Sequence, residues 1–370
     1  MFKKTTLYIH IPFCEKKCFY CSFVVSIGQQ KRMDDYLFCL AREAEQYKDQ
    51  SIKSVYIGGG TPTFLNIQQL EKLFNVIRSN FKVDSLAEWT IEANPEGLDK
   101  AKIKLLQESG INRISLGVQS MNDSYLRYLG RNHNSKKVLE VYGWVRAGGF
   151  KNVNIDLMFC FPNQTIAQLK EDIDAIIRLN SEHVSLYALT VEKNSRFFVQ
   201  NIQLPDDQVQ AEHYQLVMQS MAQAGLAQYE VSNFAKPGYE SAHNYHYWQG
   251  GEYIGLGIGA HSYLNHKRSW NITRLTEYLR LIEEGKSVVE GFEQISSSEQ
   301  FNEAVLFGLR MNKGINLKAL ELEYGCQLKE EHQQLIDVLI EEKLLKREGS
   351  NLSATDKGRM VLDEISVRLI

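Results

Sequence analysis

The sequence has 370 residues, of which 44% are hydrophobic and 24% charged, as expected for a globular protein with one large domain and a smaller one. Its net charge of −3 excludes a general electrostatic attraction to nucleic acid or anionic lipid. No apolar run approaches the roughly 20 residues that span a bilayer, and the N-terminus leads directly into a predicted strand. We therefore expect a cytoplasmic protein without a signal peptide.

The first half of the chain alternates apolar, β-rich runs with segments of helical periodicity. The predicted strands cover residues 7–11, 54–57, 88–92, 113–118, 152–159 and 184–188, and the predicted helices cover residues 34–47, 67–80, 99–109, 135–147 and 165–179. This alternation predicts an α/β fold with a parallel sheet covered by helices, either open or a partial barrel. Polar residues and glycines lie at the C-terminal ends of the predicted strands. In barrel enzymes these strand ends form the active-site face, so their position favours a partial (β/α)6 barrel.

The alternation stops after residue 190. In the second half we predict a helix (206–224), a short strand (229–232), an aromatic and histidine-rich stretch (243–263) and a helix (274–284). A polar linker (294–298) then leads to helices at 299–311 and 328–342, a β-like turn (345–353) and a last helix from 355. The elements after the linker resemble a winged-helix module. We therefore predict a core over residues 1–190, an extension of the barrel over 191–293, and a mainly helical, winged-helix-like module over 294–370.

Winged-helix modules often bind DNA, but the charge of this module does not favour such a role. Residues 297–370 contain ten basic and thirteen acidic residues, so the module has no basic excess. A local basic patch is compatible with that sum. We nevertheless expect no nucleic-acid partner, and we interpret the module as one that packs on the barrel or covers it.

Three cysteines, Cys14, Cys18 and Cys21, lie within eight residues just after the first predicted strand. Three thiolates on one loop can converge on a soft metal centre. A zinc site would need a fourth ligand, and the residues that follow include Phe23 and Val25 instead. The spacing therefore predicts a [4Fe–4S] cluster with one iron left open. Three buried thiols or an incomplete zinc site are the alternatives.

The spacing C-x3-C-x2-C, with Tyr20 before the last cysteine, resembles the radical S-adenosylmethionine (SAM) superfamily. The resemblance implies that SAM chelates the open iron through its amino and carboxylate groups. It also implies that the reduced cluster can cleave SAM to a 5′-deoxyadenosyl radical. The spacing itself indicates only three ligands and one vacant position.

Several residues at the predicted strand ends have side chains or backbones suited to a ligand. Glycines in residues 58–62 (GGGTP) allow close approach of the backbone, although a tight turn would also explain them. Glu92 ends an apolar strand, where an unpaired charge would be costly. Gln119 and Asp156 are polar residues of apolar strands, and Arg131 could clamp a carboxylate. Ordinary core hydrogen bonds or a surface ion pair are the alternatives for these four.

Five short motifs then narrow the resemblance. The segments YIHIPFC at 8–14, GGGTP at 58–62, GVQ at 117–119, GR at 130–131 and NIDL at 154–157 resemble the oxygen-independent coproporphyrinogen III oxidases (HemN) and the related HemW heme chaperones. The similarity covers nearly the whole chain. It implies that nine residues line a SAM pocket: Tyr8, Tyr20, Gly60, Thr61, Glu92, Gln119, Arg131, Asp156 and Ala188.

Two departures distinguish this sequence from the oxidases. The oxidases carry a further cysteine two residues after the third, where this chain has Phe23. They also have a longer N-terminal extension over the active site, whereas seven residues precede Tyr8 here. Both departures argue against coproporphyrinogen oxidation, so it stays open whether the chain is an enzyme.

The segment HNYHYW, which begins at His243, resembles the heme-binding HNxxYW motif of HemW. A neutral imidazole is a good axial ligand for heme iron, and Tyr245, Tyr247 and Trp248 offer flat faces to a macrocycle. An aromatic loop that caps the barrel, with ordinary hydrogen bonds from its histidine, is the alternative. We predict His243 as the heme ligand, with His261 as a second candidate.

These observations predict a heme chaperone that binds heme and transfers it to an acceptor hemoprotein. The expected acceptor is a membrane-bound respiratory enzyme, at which the chain would lie peripherally on the membrane. The cluster and exchangeable SAM could serve regulation, assembly or homodimer formation rather than turnover. The alternative is radical SAM oxidative decarboxylation of the two propionates of coproporphyrinogen III to vinyl groups.

Overall fold

The computed structural model describes residues 5–369, which form a large sheet covered by helices and a smaller C-terminal module. The strands are β1 (Thr5–Ile11), β2 (Phe13–Cys14), β3 (Ser26–Ile27), β4 (Ser51–Gly59), β5 (Lys82–Ala93), β6 (Arg113–Gln119), β7 (Val153–Phe159), β8 (His183–Ala188), β9 (Ala227–Glu230), β10 (Asn233–Ala235), β11 (Tyr253–Leu256), β12 (His261–Leu264), β13 (Lys267–Asn271), β14 (Val289–Gln294), β15 (Ile315–Asn316), β16 (Leu345–Glu348) and β17 (Asn351–Ala354).

The helices are α1 (Met33–Ala44), α2 (Ile67–Asn80), α3 (Lys100–Glu108), α4 (Asp123–Leu129), α5 (Ser135–Ala147), α6 (Ile166–Leu179), α7 (Arg196–Val199), α8 (Asp207–Gln223), α9 (Ala242–Trp248), α10 (Leu275–Glu283), α11 (Ser297–Arg310), α12 (Leu317–Tyr324), α13 (Glu330–Glu341), α14 (Asp356–Arg359) and α15 (Leu362–Arg368). Within residues 5–369, no helix combines the length and the apolar composition that crossing a bilayer requires.

The large sheet has twelve strands in the order β14-β13-β12-β11-β1-β4-β5-β6-β7-β8-β10-β9. The seven strands from β11 to β8 run parallel to one another, and the strands at both flanks are antiparallel. All six predicted strands of the core are present in this parallel part, with helices between them. The prediction of an α/β fold with a parallel sheet is therefore confirmed.

Apolar side chains on the strands explain why these segments form the centre of the sheet. Leu7, Ile9 and Ile11 of β1 are fully buried, as are Ile155 and Leu157 of β7. Parallel strands that carry helices bury such residues in near-continuous runs. Helices α2 and α6 each begin at a capping box, in which the side chains of the N-cap and N3 residues bond each other's backbone N–H groups.

The structure contains elements that the sequence pattern did not predict, among them the helices α4, α7, α9 and α12 and the strands β10 to β14. The side chains of β14 are largely exposed and those of β13 are mostly half-buried, so neither strand shows the apolar alternation that identifies a strand. Their conformation depends on pairing with a neighbour in space. The predicted polar linker is also shorter than expected, because β14 ends at Gln294 and Ser296 caps α11 through a capping box with Glu299.

The C-terminal module has its own apolar core, which includes Phe301, Val305 and Ile336. Helices α11 to α15 surround a three-stranded sheet in the order β15-β17-β16, with β16 and β17 forming the expected hairpin. This arrangement agrees with the predicted mainly helical, winged module. The extension predicted over 191–293 shares the large sheet with the core, and the division into three parts at 190 and 293 stays a prediction.

Candidate functional site

The carboxyl ends of the parallel strands surround a cavity of about 610 Å³, which we call the cysteine cavity. Its wall contains Cys14, at the end of the short strand β2, and Cys18 and Cys21, on the loop that follows it. Strands β4, β5, β6 and β7 contribute the facing residues. Because the carboxyl ends of parallel strands meet at one edge, residues far apart in sequence converge here.

The glycine turn after β4 holds the cysteine loop by backbone hydrogen bonds. The Gly60 N–H donates to the Ile11 carbonyl oxygen at 2.8 Å, and the Thr61 N–H donates to that of Phe13 at 2.9 Å. A Cβ atom on Gly60 would lie 2.9 Å from Cys14 Sγ, closer than real Cβ contacts. A glycine at this position therefore lets the turn approach the first cysteine.

The three thiols are partly buried and have polar neighbours. Cys14 Sγ lies 3.4 Å from Thr61 Oγ1, and Arg131 Nη1 donates to Cys18 Sγ at 3.4 Å. Burial raises the pKa of the Cys14 thiol to about 11 and also raises the pKa of Cys21. Thiolates at such positions require a compensating positive charge, which a bound metal cluster supplies.

The described side chains do not form a site for a single metal ion. Among residues 5–369, no three His, Cys, Asp or Glu side chains converge on one ion position. In a [4Fe–4S] cluster each cysteine binds a different iron, so its ligands lie farther apart than those of a single zinc ion. The three thiols therefore share one cavity wall without forming a single-ion site, and the [4Fe–4S] cluster stays a prediction.

Arg131 is held beside the thiols and has an unused donor. Its Nη2 donates to Asn94 Oδ1 at 2.6 Å and to the Gly117 carbonyl oxygen at 2.7 Å. Its Nε is buried and has no hydrogen-bond partner among the described residues. Because buried donors are normally paired, this atom indicates a ligand acceptor that would complete the site.

Two carboxyl groups lie in the wall of the cavity. Glu92 accepts hydrogen bonds from the Tyr56 hydroxyl at 2.8 Å and the Gly59 N–H at 3.1 Å. Burial raises its pKa to about 7, with a further contribution from the Asp156 charge. Asp156 accepts a hydrogen bond from Ser115, and burial raises its pKa as well. The cavity wall therefore contains two buried carboxyl groups as well as the Arg131 guanidinium.

Gln119 ends β6 in a left-handed conformation, with φ of 69°, where the pairing of β6 with β7 shifts by one residue. Such a backbone is costly for a residue other than glycine and is commonly found at functional sites. The irregularity lies in the wall of the cysteine cavity, to which Gln119 contributes.

The structure brings together seven of the nine residues predicted to bind SAM. The lining of the cysteine cavity includes Tyr20, Gly60, Thr61, Glu92, Gln119, Arg131 and Asp156. Tyr8 lies in the wall of a neighbouring cavity instead, and Ala188 lies at the exposed end of β8, next to Tyr187 of the lining. The prediction did not include Tyr56 or Asn94, although strand alternation places Tyr56 on the opposite face from the buried Val55 and Ile57.

The neighbouring cavity has a volume of about 720 Å³, and we call it the aromatic cavity. Eight aromatic side chains, from β1, the cysteine loop, α9, β11, β12, α11 and α12, line its wall: Tyr8, Phe23, Tyr247, Trp248, Tyr253, Tyr263, Phe307 and Tyr324. It shares Phe23, Gly59 and Glu92 with the cysteine cavity, so the two cavities have one wall in common. Its volume and aromatic lining suit a flat apolar molecule.

His243, the predicted heme ligand, lies behind the aromatic cavity rather than in its lining. The side chain is buried, with Nδ1 2.9 Å from Ser54 Oγ and Nε2 3.1 Å from the Tyr247 hydroxyl. Burial lowers its pKa to about 3, so the ring is neutral. Glu88 fixes the start of α9, since its carboxylate accepts hydrogen bonds from the N–H groups of Ala242 and His243.

The other histidines of this region differ in their environment. His246 is buried, and its Nε2 lies 2.6 Å from the Glu252 carbonyl oxygen. His261, at the start of β12, is exposed and lines the aromatic cavity, where its ring centroid lies 6.0 Å from that of Trp270. The two candidate heme ligands of the sequence are therefore placed differently relative to the cavity.

Comparison with family models finds two matches in this chain. Residues 8–176 match the "Radical SAM superfamily", and residues 295–361 match the "HemN C-terminal domain". The structure is similar to that of coproporphyrinogen III oxidase (HemN) from Escherichia coli, with a TM-score of 0.89 and 24% identity over 99% of this chain and 90% of that one. The predicted radical SAM fold is thereby confirmed.

Curated relatives match over nearly the full length. "Heme chaperone HemW" of Lactococcus lactis is 36% identical over 360 residues, which cover 96% of this chain and 94% of the relative. "Heme chaperone HemW" of Bacillus subtilis is 37% identical over 367 residues, which cover 97% of each chain. A "Radical S-adenosyl methionine domain-containing protein 1, mitochondrial" of Danio rerio is 33% identical over 86% of this chain.

Proposed function

We propose, because the chain belongs to the HemW heme chaperone family of the radical SAM superfamily, that it binds heme and transfers it to an acceptor hemoprotein. The observation that carries this proposal is the aromatic cavity of about 720 Å³ beside the HNxxYW segment. Large aromatic faces provide apolar contact to a macrocycle, and an open cavity allows the heme to leave again.

The heme would lie against α9. Tyr247 and Trp248, the last two residues of the HNxxYW segment, line the aromatic cavity. His243 supports this wall through its hydrogen bond to the Tyr247 hydroxyl. His243 is also the ligand that the family resemblance implies, and to reach an iron atom its ring would have to give up the hydrogen bond to Ser54 or to Tyr247.

A [4Fe–4S] cluster would be held by Cys14, Cys18 and Cys21 in the cysteine cavity. With SAM on its open iron, a reduced cluster supplies the electron for reductive cleavage of SAM. The protein's own contribution is to bind and orient SAM. The Arg131 donors suit its carboxylate, and Glu92 suits its hydroxyl or amino groups.

The remaining residues that we propose for SAM are Tyr8, Tyr20, Gly60, Thr61, Gln119, Asp156 and Ala188. Tyr8 would act from the neighbouring cavity, since its hydroxyl lies 2.9 Å from His10 Nδ1 in the wall of the aromatic cavity. SAM would be exchangeable and would serve regulation, assembly or homodimer formation. We propose no oxidation of coproporphyrinogen, because the similarity to HemN at 24% identity concerns the fold alone.

The proposed acceptor is a heme-requiring respiratory enzyme of the membrane, which the chain would meet as a peripheral protein. The chaperone function requires only that an acceptor hemoprotein exists, since a carrier must release its heme to a protein that lacks it. Transfer can be measured without knowing the acceptor, by mixing the hemin-loaded chain with an excess of an apo-globin and following the globin spectrum. Transfer by the chain faster than uptake from free hemin aggregates would support the role of a carrier.

The decisive experiment combines two measurements on cluster-loaded protein. Titration with hemin, followed by difference absorption spectra, is expected to saturate at about one hemin per chain. Incubation with coproporphyrinogen III, SAM and a reductant is expected to form no vinyl groups. An unchanged spectrum in the titration would remove the heme function, and formation of vinyl groups would assign the oxidase activity instead.

A further inference from the structure

We propose that His261 is the axial ligand of a heme in the aromatic cavity, and that His243 is a positioning residue that holds Tyr247 in the cavity wall. This inference rests on the proposed heme function and assigns the iron-binding atom within that site. It begins from the two histidines that line the aromatic cavity, His10 and His261.

His10 has no ring nitrogen available. Its Nε2 donates to the Val24 carbonyl oxygen at 2.8 Å, so its Nδ1 accepts from the Tyr8 hydroxyl at 2.9 Å. The side chain is also buried. Ligation of an iron by His10 would break one of these bonds and leave a buried polar group unpaired, which is unfavourable.

His243 also has no ring nitrogen available for an iron atom. Only 1% of its surface is exposed, and its two ring nitrogens are bonded to Ser54 and Tyr247. The ring also packs against Tyr56 and Tyr247, at centroid distances of 5.1 and 4.8 Å. An iron could reach this imidazole only after α9 or the Tyr247 side chain moved. The contacts of His243 therefore fit a residue that fixes the wall from behind.

His261 has the opposite properties. Its side chain is exposed, and its imidazole makes no hydrogen bond within residues 5–369. A free, neutral nitrogen that faces an apolar cavity is what axial ligation of heme iron requires. Burial and the Arg268 charge lower the pKa of His261, which favours the neutral form.

The backbone of His261 is fixed by its neighbours. It pairs with Trp270 across the antiparallel β12–β13 ladder. A Cβ atom on Gly255 of β11 would lie 2.0 Å from the His261 carbonyl oxygen, so the two strands approach closely at this point. A ligand on such a rigid strand keeps its position when heme leaves, which suits reversible binding.

The remaining lining fits a porphyrin with its propionates directed outward. Tyr247 and Trp248 contribute aromatic faces from α9, and Phe307 contributes one from α11. Arg268 is the cation of the lining, and its guanidinium is already paired with Glu293 at 3.0 Å and with Glu303 at 2.6 Å. We therefore expect the propionates to extend into solvent through the mouth of the cavity.

The test is a hemin titration of cluster-loaded wild-type protein and of the variants His261→Ala, His243→Gln and His332→Ala. His261→Ala is expected to weaken hemin binding at least tenfold and to shift the Soret band to that of heme without the imidazole, and added imidazole should restore the band. His243→Gln is expected to retain the wild-type band with weaker binding. His332→Ala, a change in α13 of the C-terminal module, serves as the matched control and should match the wild type in both respects.

The outcomes separate this inference from the proposed function. If wild-type protein binds no hemin, both are wrong. If the wild type binds hemin and His261→Ala retains its affinity and band position, the heme function stands and the ligand assignment is wrong. If His243→Gln loses the Soret band of imidazole-bound heme while His261→Ala keeps that band, His243 is the axial ligand of the iron instead. Iron content and circular dichroism of each variant confirm that the cluster and the fold are intact.

Discussion

At the scale of single residues, Glu92 is an ionisable side chain that lines both the cysteine cavity and the aromatic cavity. Its carboxyl group lies in the lining of both and accepts hydrogen bonds from Tyr56 and Gly59. Burial raises its pKa to about 7, so a change of pH near neutrality alters its charge. A ligand with hydroxyl groups or a positive charge would bind the ionised form better than the protonated form.

Glu92→Gln should therefore change both the strength and the pH dependence of SAM binding. We expect an affinity about tenfold lower than that of the wild type at pH 8, equivalent to about 1.4 kcal/mol, for one lost charge-assisted hydrogen bond. The wild-type affinity should increase from pH 6 to pH 8 as Glu92 ionises, and the ratio of the two affinities should increase with it. Isothermal titration of cluster-loaded protein measures both; a ratio that does not depend on pH would contradict the assignment.

His183 provides a test of the buried polar network within the barrel. Its Nδ1 lies 2.6 Å from Asn154 Oδ1 and its Nε2 lies 2.8 Å from the Tyr229 hydroxyl, and burial lowers its pKa well below 6.5. The folded protein keeps this ring neutral, whereas the unfolded chain protonates it below about pH 6.5. Its contribution to stability is therefore complete above that pH and is lost as the pH falls.

In His183→Gln, the amide can donate to Asn154 and accept from Tyr229, but it does not titrate. We expect the free energy of unfolding of the wild type to fall more steeply than that of the variant below pH 6.5, by up to about 1.4 kcal/mol per pH unit. Denaturant titrations at pH 7.0 and 5.5 measure the difference. Equal slopes in both proteins would show that His183 is not held neutral.

At the scale of elements, the glycine turn and the cysteine loop act as one unit. The turn donates two backbone hydrogen bonds to the loop, and it lies against Cys14 where a side chain would not fit. Neither element depends on an apolar pattern of its own. The conformation of the cysteine loop therefore depends on β4, about forty residues further along the chain.

Gly60→Ala should displace this loop. The new methyl group would lie 2.8 Å from the Pro12 carbonyl oxygen and 2.9 Å from Cys14 Sγ, so we expect the iron content per chain to fall severalfold after reconstitution. Gly143→Ala is the matched control, since its Cβ would meet nothing within 4 Å and alanine favours the helix α5. Iron and sulfide analysis measures the effect; full cluster content in Gly60→Ala would contradict it.

The sequence predicted the elements whose signal lies in their own residues. The apolar runs of β1 and β7 and the periodicity of the covering helices identified the parallel sheet. The strands β13 and β14 could not be predicted this way, because their exposed and half-buried side chains show no apolar alternation and their pairing partners define them. Short α4, which begins at the capping residue Asn122, was also missed.

The same distinction applies to the candidate site. The cysteine spacing and the polar residues at strand ends indicated the cysteine cavity, because each is a local departure from an apolar pattern. The aromatic cavity was not predicted as a cavity, since its wall joins residues as distant as Tyr8 and Tyr324. The burial of His243 was equally inaccessible, because Ser54 and Tyr56 of β4 enclose it.

At the scale of the whole molecule, the C-terminal module completes the aromatic cavity. Phe307 of α11 lies across from Trp248 of α9, with ring centroids 6.1 Å apart, and Arg310 lies over the same indole at 4.7 Å. The module thus contributes a wall to a cavity that the barrel alone would leave open. This role agrees with the interpretation of a module that packs on the barrel.

Phe307→Ala should weaken hemin binding while leaving the cluster intact. Loss of this aromatic contact is expected to cost about 1–2 kcal/mol, equivalent to about a 5- to 30-fold lower affinity. Leu322→Ala is the control, because this side chain on α12 of the same module is 86% exposed and does not line the cavity. Hemin titration of both variants decides the matter, and equal affinities would mean that α11 does not contact the heme.

The wall that the two cavities share through Phe23, Gly59 and Glu92 has a thermodynamic consequence. If SAM and heme both contact these three residues, as proposed, their affinities are not independent when either ligand shifts that wall. If bound SAM changes the affinity for heme by some factor, bound heme must change the affinity for SAM by the same factor, because the free protein, the two single complexes and the double complex form one closed thermodynamic cycle. If the chain binds both ligands as proposed, the concentration of SAM would therefore change its affinity for heme.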